Sequence, residues 1–214
     1  VGIITFDDIL DVVEEEATED YERMAGVEPV DEEYLDANIT TVAGKRFIWL
    51  VICILTEALT STVLKHYSSL TGRIVSLTFF VPLLIGTGGN AGTQAATLMI
   101  RGMAIGEIHW NDMGRILLRE CVTGLLLGAA LGVLGMARAW SLETGLAVAL
   151  TVAVGVMLVV LLGNLAGTLL PLLARLLRID PAIMSGPFIT TVVDVCGLIV
   201  YFETAQLFLG RMTL

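Results

Sequence analysis

Asp194 is a carboxylate in a place where carboxylates are expensive. It lies fourteen residues beyond Asp180 in a long apolar segment. That is about 21 Å along a helix at 1.5 Å per residue, near the middle of a bilayer. Charge in hydrocarbon is costly, so an intramembrane acid is a functional candidate by default. Gly186, Pro187, Thr190 and Thr191 precede it and predict a helix perturbed on that side. A second apolar segment, 72–100, contains PLLIGTGGNAGTQ from Pro82 to Gln94. Pro82, Gly86, Gly88, Gly89 and Gly92 predict an interruption there, with Thr87, Asn90, Thr93 and Gln94 beside it. Freed carbonyls next to an amide and hydroxyls suit a cation, and lipid tolerates them only where protein or water covers them. The same glycines could serve close helix approach alone. Packing needs no Asn or Gln, which favours the site.

The available ligands are carboxylate, amide, hydroxyl and backbone carbonyl. Oxygen-only chemistry favours magnesium or calcium over zinc or copper. Magnesium gives up its water reluctantly, so a hydrated ion held through outer-shell hydrogen bonds is expected. One carboxylate neutralises a divalent ion poorly. A two-fold homodimer with Asp194 repeated across its axis does better. The other intramembrane polar groups leave alternatives open. Glu57 is either functional or a protonated acid bonded to a neighbouring helix. Glu120 reads as an ion pair with Arg115 and Arg119, and Asn164 as an interhelical hydrogen bond. Glu203 either gathers cations at the outer mouth or is solvated at the rim.

The elements that must position these groups are membrane helices. The chain has 214 residues, 56% of them hydrophobic, and a mean hydropathy of +0.84. That marks a polytopic membrane protein. Five spans are predicted, roughly 46–66, 72–100, 115–138, 144–174 and 180–209, giving an all-α fold. Between the second and third, EIHWNDMGR is amphipathic and is expected at the interface, with Trp110 as anchor. Cys53, Cys121 and Cys196 are odd in number and sit in apolar segments, against a disulfide framework or a zinc site.

Charge is segregated. Residues 1–36 hold 14 of the 22 acidic residues and a single basic one, Arg23, for a net of −13; residues 37–214 carry +3. This is an acidic head on a nearly neutral membrane body, which repels nucleic acid and attracts cations. Within 1–24 a short strand is predicted, then a helix opening near Thr5 or Asp7. Ile9, Val12, Val13 and Ala17 share one side of it, while Asp8, Asp11, Glu15, Glu19 and Glu22 stack on the other. That row is either a solvated face or one neutralised by divalent cations or a basic partner. Residues 25–41 read as a linker. Val1, without a basic n-region, suggests that amino-terminal domains precede it. Seven Lys and Arg near the membrane on the amino-terminal side, against four on the other, put the head in the cytoplasm and the carboxyl terminus outside.

PLLIGTGGNAGTQAATLMIR, DPAIMSGPFITTVVDVCGLIVYF and the DDILDVVEEEATED head together resemble the MgtE family of magnesium channels, over essentially the whole chain. The resemblance implies a homodimer in the cell membrane, five spans per chain, a pore on the two-fold axis and a cytoplasmic magnesium sensor with paired CBS domains. Residues 1–24 then correspond to the end of the second CBS domain, 25–45 to a linker and a connecting plug helix near 33–45, and 46–214 to the pore domain. Asp194 resembles the acid that holds hydrated Mg2+. Asn90 and the carbonyls of Gly86 and Thr190 resemble its outer-shell partners. Asp8, Asp11, Glu16, Glu19 and Asp20, with Asp180, match the acids that bind regulatory Mg2+ in the closed state. The helical face selects Glu15 where the family pattern selects Glu16, and Gly186 stands where some relatives carry Asn. Much of the sensor is not in the chain, so conduction without normal feedback is expected.

The implied mechanism is passive conduction of Mg2+. A membrane potential favours entry of a divalent cation by about 4.6 kcal/mol per 100 mV, and no GxxxxGK[ST] motif suggests a pump. Cytoplasmic Mg2+ bound to the acids would close the pore, and its loss would open it. The alternatives are a transporter exchanging Mg2+ for Na+ or H+ at Glu57 or Glu203, and a membrane anchor or receptor. An intramembrane enzyme is disfavoured because HExxH is absent and neither His66 nor His109 lies inside a span.

Overall fold

A computed structural model describes residues 2–30, 35–184 and 186–210. All regular structure among them is helical: α1 (Phe6–Met24), α2 (Ile39–His66), α3 (Ser68–Arg73), α4 (Val81–Ala104), α5 (Met113–Ser141), α6 (Leu146–Leu176) and α7 (Gly186–Leu209). Short 3₁₀ turns cover Val75–Phe80, Trp110–Asp112 and Pro181–Met184. Five helices are long and apolar enough to cross a membrane: α2, Val75–Ala104, α5, α6 and α7. This is a multi-pass, all-helical membrane fold.

α6 is its centre. It packs on α4, α5 and α7, and small residues let the backbones meet. A Cβ built on Gly167 would stand 2.1 Å from the Gly92 carbonyl oxygen, and one on Gly163 would stand 2.4 Å from that of Gly88. Cβ atoms on Gly128 and Gly132 of α5 would stand 2.7 and 2.6 Å from the carbonyl oxygens of Met157 and Ala153. In lipid, where helices gain nothing by hiding apolar surface from water, such close contact is what holds them. Tyr201, Phe202, Leu77, Phe80 and Leu84 fill the space above, with the Tyr201 hydroxyl donating to the Leu77 carbonyl at 3.1 Å.

Several expectations need correction. α4 runs unbroken from Val81 to Ala104, so the interruption predicted at Gly86–Gly92 does not occur. The irregularity lies earlier, in the 3₁₀ turn Val75–Phe80, and Pro82 sits in the helix's first turn, where its missing N–H costs nothing. Gly88, Gly89 and Gly92 are used for contact with Val159, Val193, Thr190 and Ile189. The perturbation expected at Gly186, Pro187, Thr190 and Thr191 does not occur either, since all four lie within the continuous α7; the irregular backbone precedes it, in the 3₁₀ turn Pro181–Met184. No strand forms in residues 2–5; Thr5 instead caps α1 reciprocally with Asp8. A strand needs a partner for its backbone groups, and the described residues offer none. Residues 39–45 are the first turns of α2, continuous with the first span, rather than part of a separate helix. Of the rest of the expected plug, 35–38 form a turn leading to the Asn38 cap of α2, and 33–34 lie outside the described residues, as does the side chain of Trp110. His66 is the last residue of α2, at the edge of its span.

Candidate functional site

Asp194 stands eight residues into α7, about 12 Å from its start. It is only 6% exposed, and its Oδ1 is enclosed with no hydrogen-bond partner among the described residues. Buried polar atoms are almost always satisfied, so an orphaned carboxylate oxygen at this depth calls for an explanation. The neighbouring side chains of α7 locate it. Val193 and Ile189 face Gly88 and Gly92 of α4, and Thr190 touches Gly89. Thr191 faces the other way, its hydroxyl 3.4 Å from that of Thr56 on α2. At 100° per residue, Asp194 falls between these two sides, in the groove where α2 and α4 flank α7.

The second polar group lies on α4. Gly86, Asn90, Gln94 and Thr97 are exposed and Thr93 is partly so, while the opposite side of the helix is buried. Asn90, Thr93, Gln94, Thr97 and Leu98 line an open groove of about 530 Å³. A Cβ on Gly86 would meet nothing within 4 Å. The carbonyls of Gly86 and Thr190 lie inside continuous helices, so they are not freed as expected. Each carbonyl still carries a second lone pair beyond its helical hydrogen bond.

The remaining intramembrane groups are partnered in specific ways. The Asn164 amide donates to Glu120 Oε2 at 3.2 Å, which makes it the interhelical bond expected of it and links α6 to α5. Glu120 takes this amide rather than the arginines; Arg115 instead approaches Asp112 at 3.9 Å. Glu203 accepts from the Tyr67 hydroxyl at 2.6 Å. Tyr67 is 5% exposed and stacks on Phe202. The sequence reading missed Tyr67 altogether: a tyrosine following an α-helix gives no sign of its acid 136 residues away.

The acidic head is divided. Arg23 forms ion pairs with Glu19 and with Asp180, and Asp180 Oδ1 also accepts from the Ala182 N–H at 2.9 Å. Asp20 is close enough that burial first, and the Asp180 charge second, raise its carboxyl above the ordinary value. Glu19, Asp20 and Asp180 are therefore brought together around Arg23. Asp8 is three turns away, engaged with Thr5, whose hydroxyl and backbone hold its carboxyl below the usual range. Asp11 and Glu19, with Glu14, Glu15 and Glu22, line a groove of about 330 Å³ against Pro29 and Val30. Glu16 lies off that groove, exposed. Among the described residues no three His, Cys, Asp or Glu side chains are grouped closely enough to hold a bare metal ion.

The site is thus a buried acid with one unsatisfied oxygen, carried by a chain with five apolar helices long enough to cross a membrane. Residues 81–204, more than half of the chain, match the model of the MgtE family, described as divalent cation transporters. The chain belongs to that family. It is 42% identical over 209 residues to the magnesium transporter MgtE of Thermus thermophilus, covering 98% of this chain and 46% of the relative. The corresponding Enterococcus faecalis protein is 36% identical over 209 residues, with 98% and 46% covered. That of Bacillus subtilis is 33% identical over 212 residues, with 99% and 47% covered. The chain thus spans a little under half the length of these curated relatives.

Proposed function

We propose that this chain forms the pore of a homodimeric magnesium channel that passes hydrated Mg2+ into the cytoplasm and is gated by intracellular Mg2+. The observation that carries the reading is Asp194 Oδ1, enclosed in α7 without a partner. A hydrated cation supplies what that atom lacks, donating from its water shell. The exposed polar face of α4 supports the dimer. Asn90, Gln94 and Thr97 on a membrane helix cannot face lipid cheaply, and a second copy enclosing them makes a wet path. Asn90 and the carbonyls of Gly86 and Thr190 then contact the ion's water. The relatives named as magnesium transporters support the choice of ion.

Gating rests on the head. Asp8, Asp11, Glu16, Glu19, Asp20 and Asp180 are the acids that regulatory Mg2+ would neutralise, with the amino terminus cytoplasmic and the carboxyl terminus outside. The apolar side of α1, with Ile9, Val12 and Val13 more than half exposed, fits the end of a larger CBS domain. The test is Mg2+ flux into proteoliposomes. Asp194→Asn should abolish it, and, in a protein that carries the whole sensor, neutralising Asp8, Asp11, Glu19 and Asp20 together should remove inhibition by Mg2+ on the head side. Flux with a fixed Na+ or H+ stoichiometry would instead indicate a coupled transporter.

A further inference from the structure

α2 and α7 run side by side in the same direction. Thr56 meets Thr191 at 3.4 Å, and eleven residues further along α2, Tyr67 bonds Glu203, twelve residues further along α7. Both contacts advance together, so the helices are parallel with a nearly constant register. By that register Asp194 is level with Leu59. Glu57 then lies about 3 Å to one side along the axis and Thr60 about 1.5 Å to the other.

Both neighbours are unusual. Thr60 is 6% exposed and its hydroxyl has no partner among the described residues. Thr56 and Thr62 on the same helix, like most helical threonines, return their hydroxyls to a carbonyl one turn back. Glu57 is exposed in the middle of a span, and it stands within electrostatic reach of Asp194. Neither acid forms an ion pair among the described residues. Two enclosed oxygens without partners and a mid-membrane carboxylate therefore share one narrow band of the α2–α7 groove. A carboxylate exposed at that depth needs water or a cation beside it, since lipid will not hold it.

From this juxtaposition we infer that Glu57 and Thr60 complete the cation site around Asp194, so that each chain offers a hydrated divalent cation two carboxylates and a hydroxyl. The inference rests on the channel reading and adds residues of α2 to it. Two carboxylates within a single chain balance a divalent charge without waiting for the second copy. The Thr60 hydroxyl accepts from, or donates to, the ion's water shell. Direct coordination is not required, which suits magnesium's reluctance to dehydrate.

Mg2+ flux into proteoliposomes separates the possibilities, using the parent protein and the variants Glu57→Gln, Glu57→Asp, Thr60→Val and Asp194→Asn. Glu57→Gln should raise the Mg2+ concentration for half-maximal flux about tenfold, the loss of one charge-assisted hydrogen bond to the water shell. Glu57→Asp should recover most of that loss, and Thr60→Val should raise the same quantity by a smaller factor. Unchanged half-saturation in Glu57→Gln, with Asp194→Asn inactive, overturns this inference and leaves the channel standing. Normal flux in Asp194→Asn overturns both. A Glu57→Gln protein whose flux loses a dependence on the proton gradient at unchanged half-saturation makes Glu57 a proton carrier and overturns the cation role. Failure of Glu57→Asp to recover flux, with a lowered unfolding temperature in both Glu57 variants, assigns the residue to folding and overturns it too.

Discussion

Arg23 is ion-paired with Asp180, 157 residues later in the chain, and that contact ties the acidic helix to the foot of the last span. Around the same junction, the ideal Cβ of Gly26 falls 2.9 Å from Pro187 Cγ, and that of Gly186 falls 2.8 Å from the Met24 carbonyl oxygen. The end of α1 and the start of α7 thus meet with almost no side chain between them. Gly26 has φ +72°, a conformation that suits glycine.

The Arg23–Asp180 pair has side chains 32% and 27% exposed. Screening limits such a pair to about 1 kcal/mol or less. Arg23→Gln should broaden the distance distribution between spin labels placed on α1 and beside Asp180, and high salt should broaden that of the parent. An unchanged distribution in both would show that the glycine contacts alone hold the helix.

Asp20 gives this docking a pH dependence of known sign. Its carboxyl is raised above the ordinary 3.8 when α1 is docked, by burial and then by Asp180. The docked state therefore binds more protons than the free one in the window just above 3.8, and docking weakens as pH rises through it. Asp20→Asn should dock more firmly at neutral pH, and the difference between variant and parent should shrink toward lower pH. The same label distances, followed over a titration, check this.

Glycines of α4 and α6 should divide sharply by position. Gly163→Ala and Gly167→Ala force a methyl against the carbonyls of Gly88 and Gly92, so each should destabilise by about 1–3 kcal/mol or more. Gly86→Ala meets no atom within 4 Å and should leave the unfolding midpoint in detergent unchanged. Any loss of flux in Gly86→Ala then reports on the ion path and not on folding.

Tyr67→Phe removes a 2.6 Å hydrogen bond to a carboxylate, for which a loss of about 1.5–3 kcal/mol is typical. A double-mutant cycle of Tyr67→Phe with Glu203→Gln, read by thermal unfolding, should return a clear coupling energy. Additive effects would mean that the pair contributes nothing of its own.

The sequence made the span count legible, and Asp194 recognisable as an acid within the last span, because apolar length and charge cost act locally. The fate of the glycines was not legible. A run such as GTGGNAG fits a broken helix or a close-packed one equally well, and only the carbonyls of Gly88 and Gly92 facing Gly163 and Gly167 decide between them. Glu57 was visible as an intramembrane acid, but its level relative to Asp194 depends on the α2–α7 register, fixed by Thr56–Thr191 and Tyr67–Glu203. Asp180 was identifiable as an acid at the membrane face. That Arg23 would claim it was not, because the pairing joins segments 157 residues apart.

The most direct measurement is Mg2+ influx into proteoliposomes holding the parent or Asp194→Asn, a swap that keeps size and removes the charge. The account predicts that Asp194→Asn folds with an unfolding temperature close to the parent's and carries no Mg2+ current. Undiminished Mg2+ influx through Asp194→Asn would contradict it.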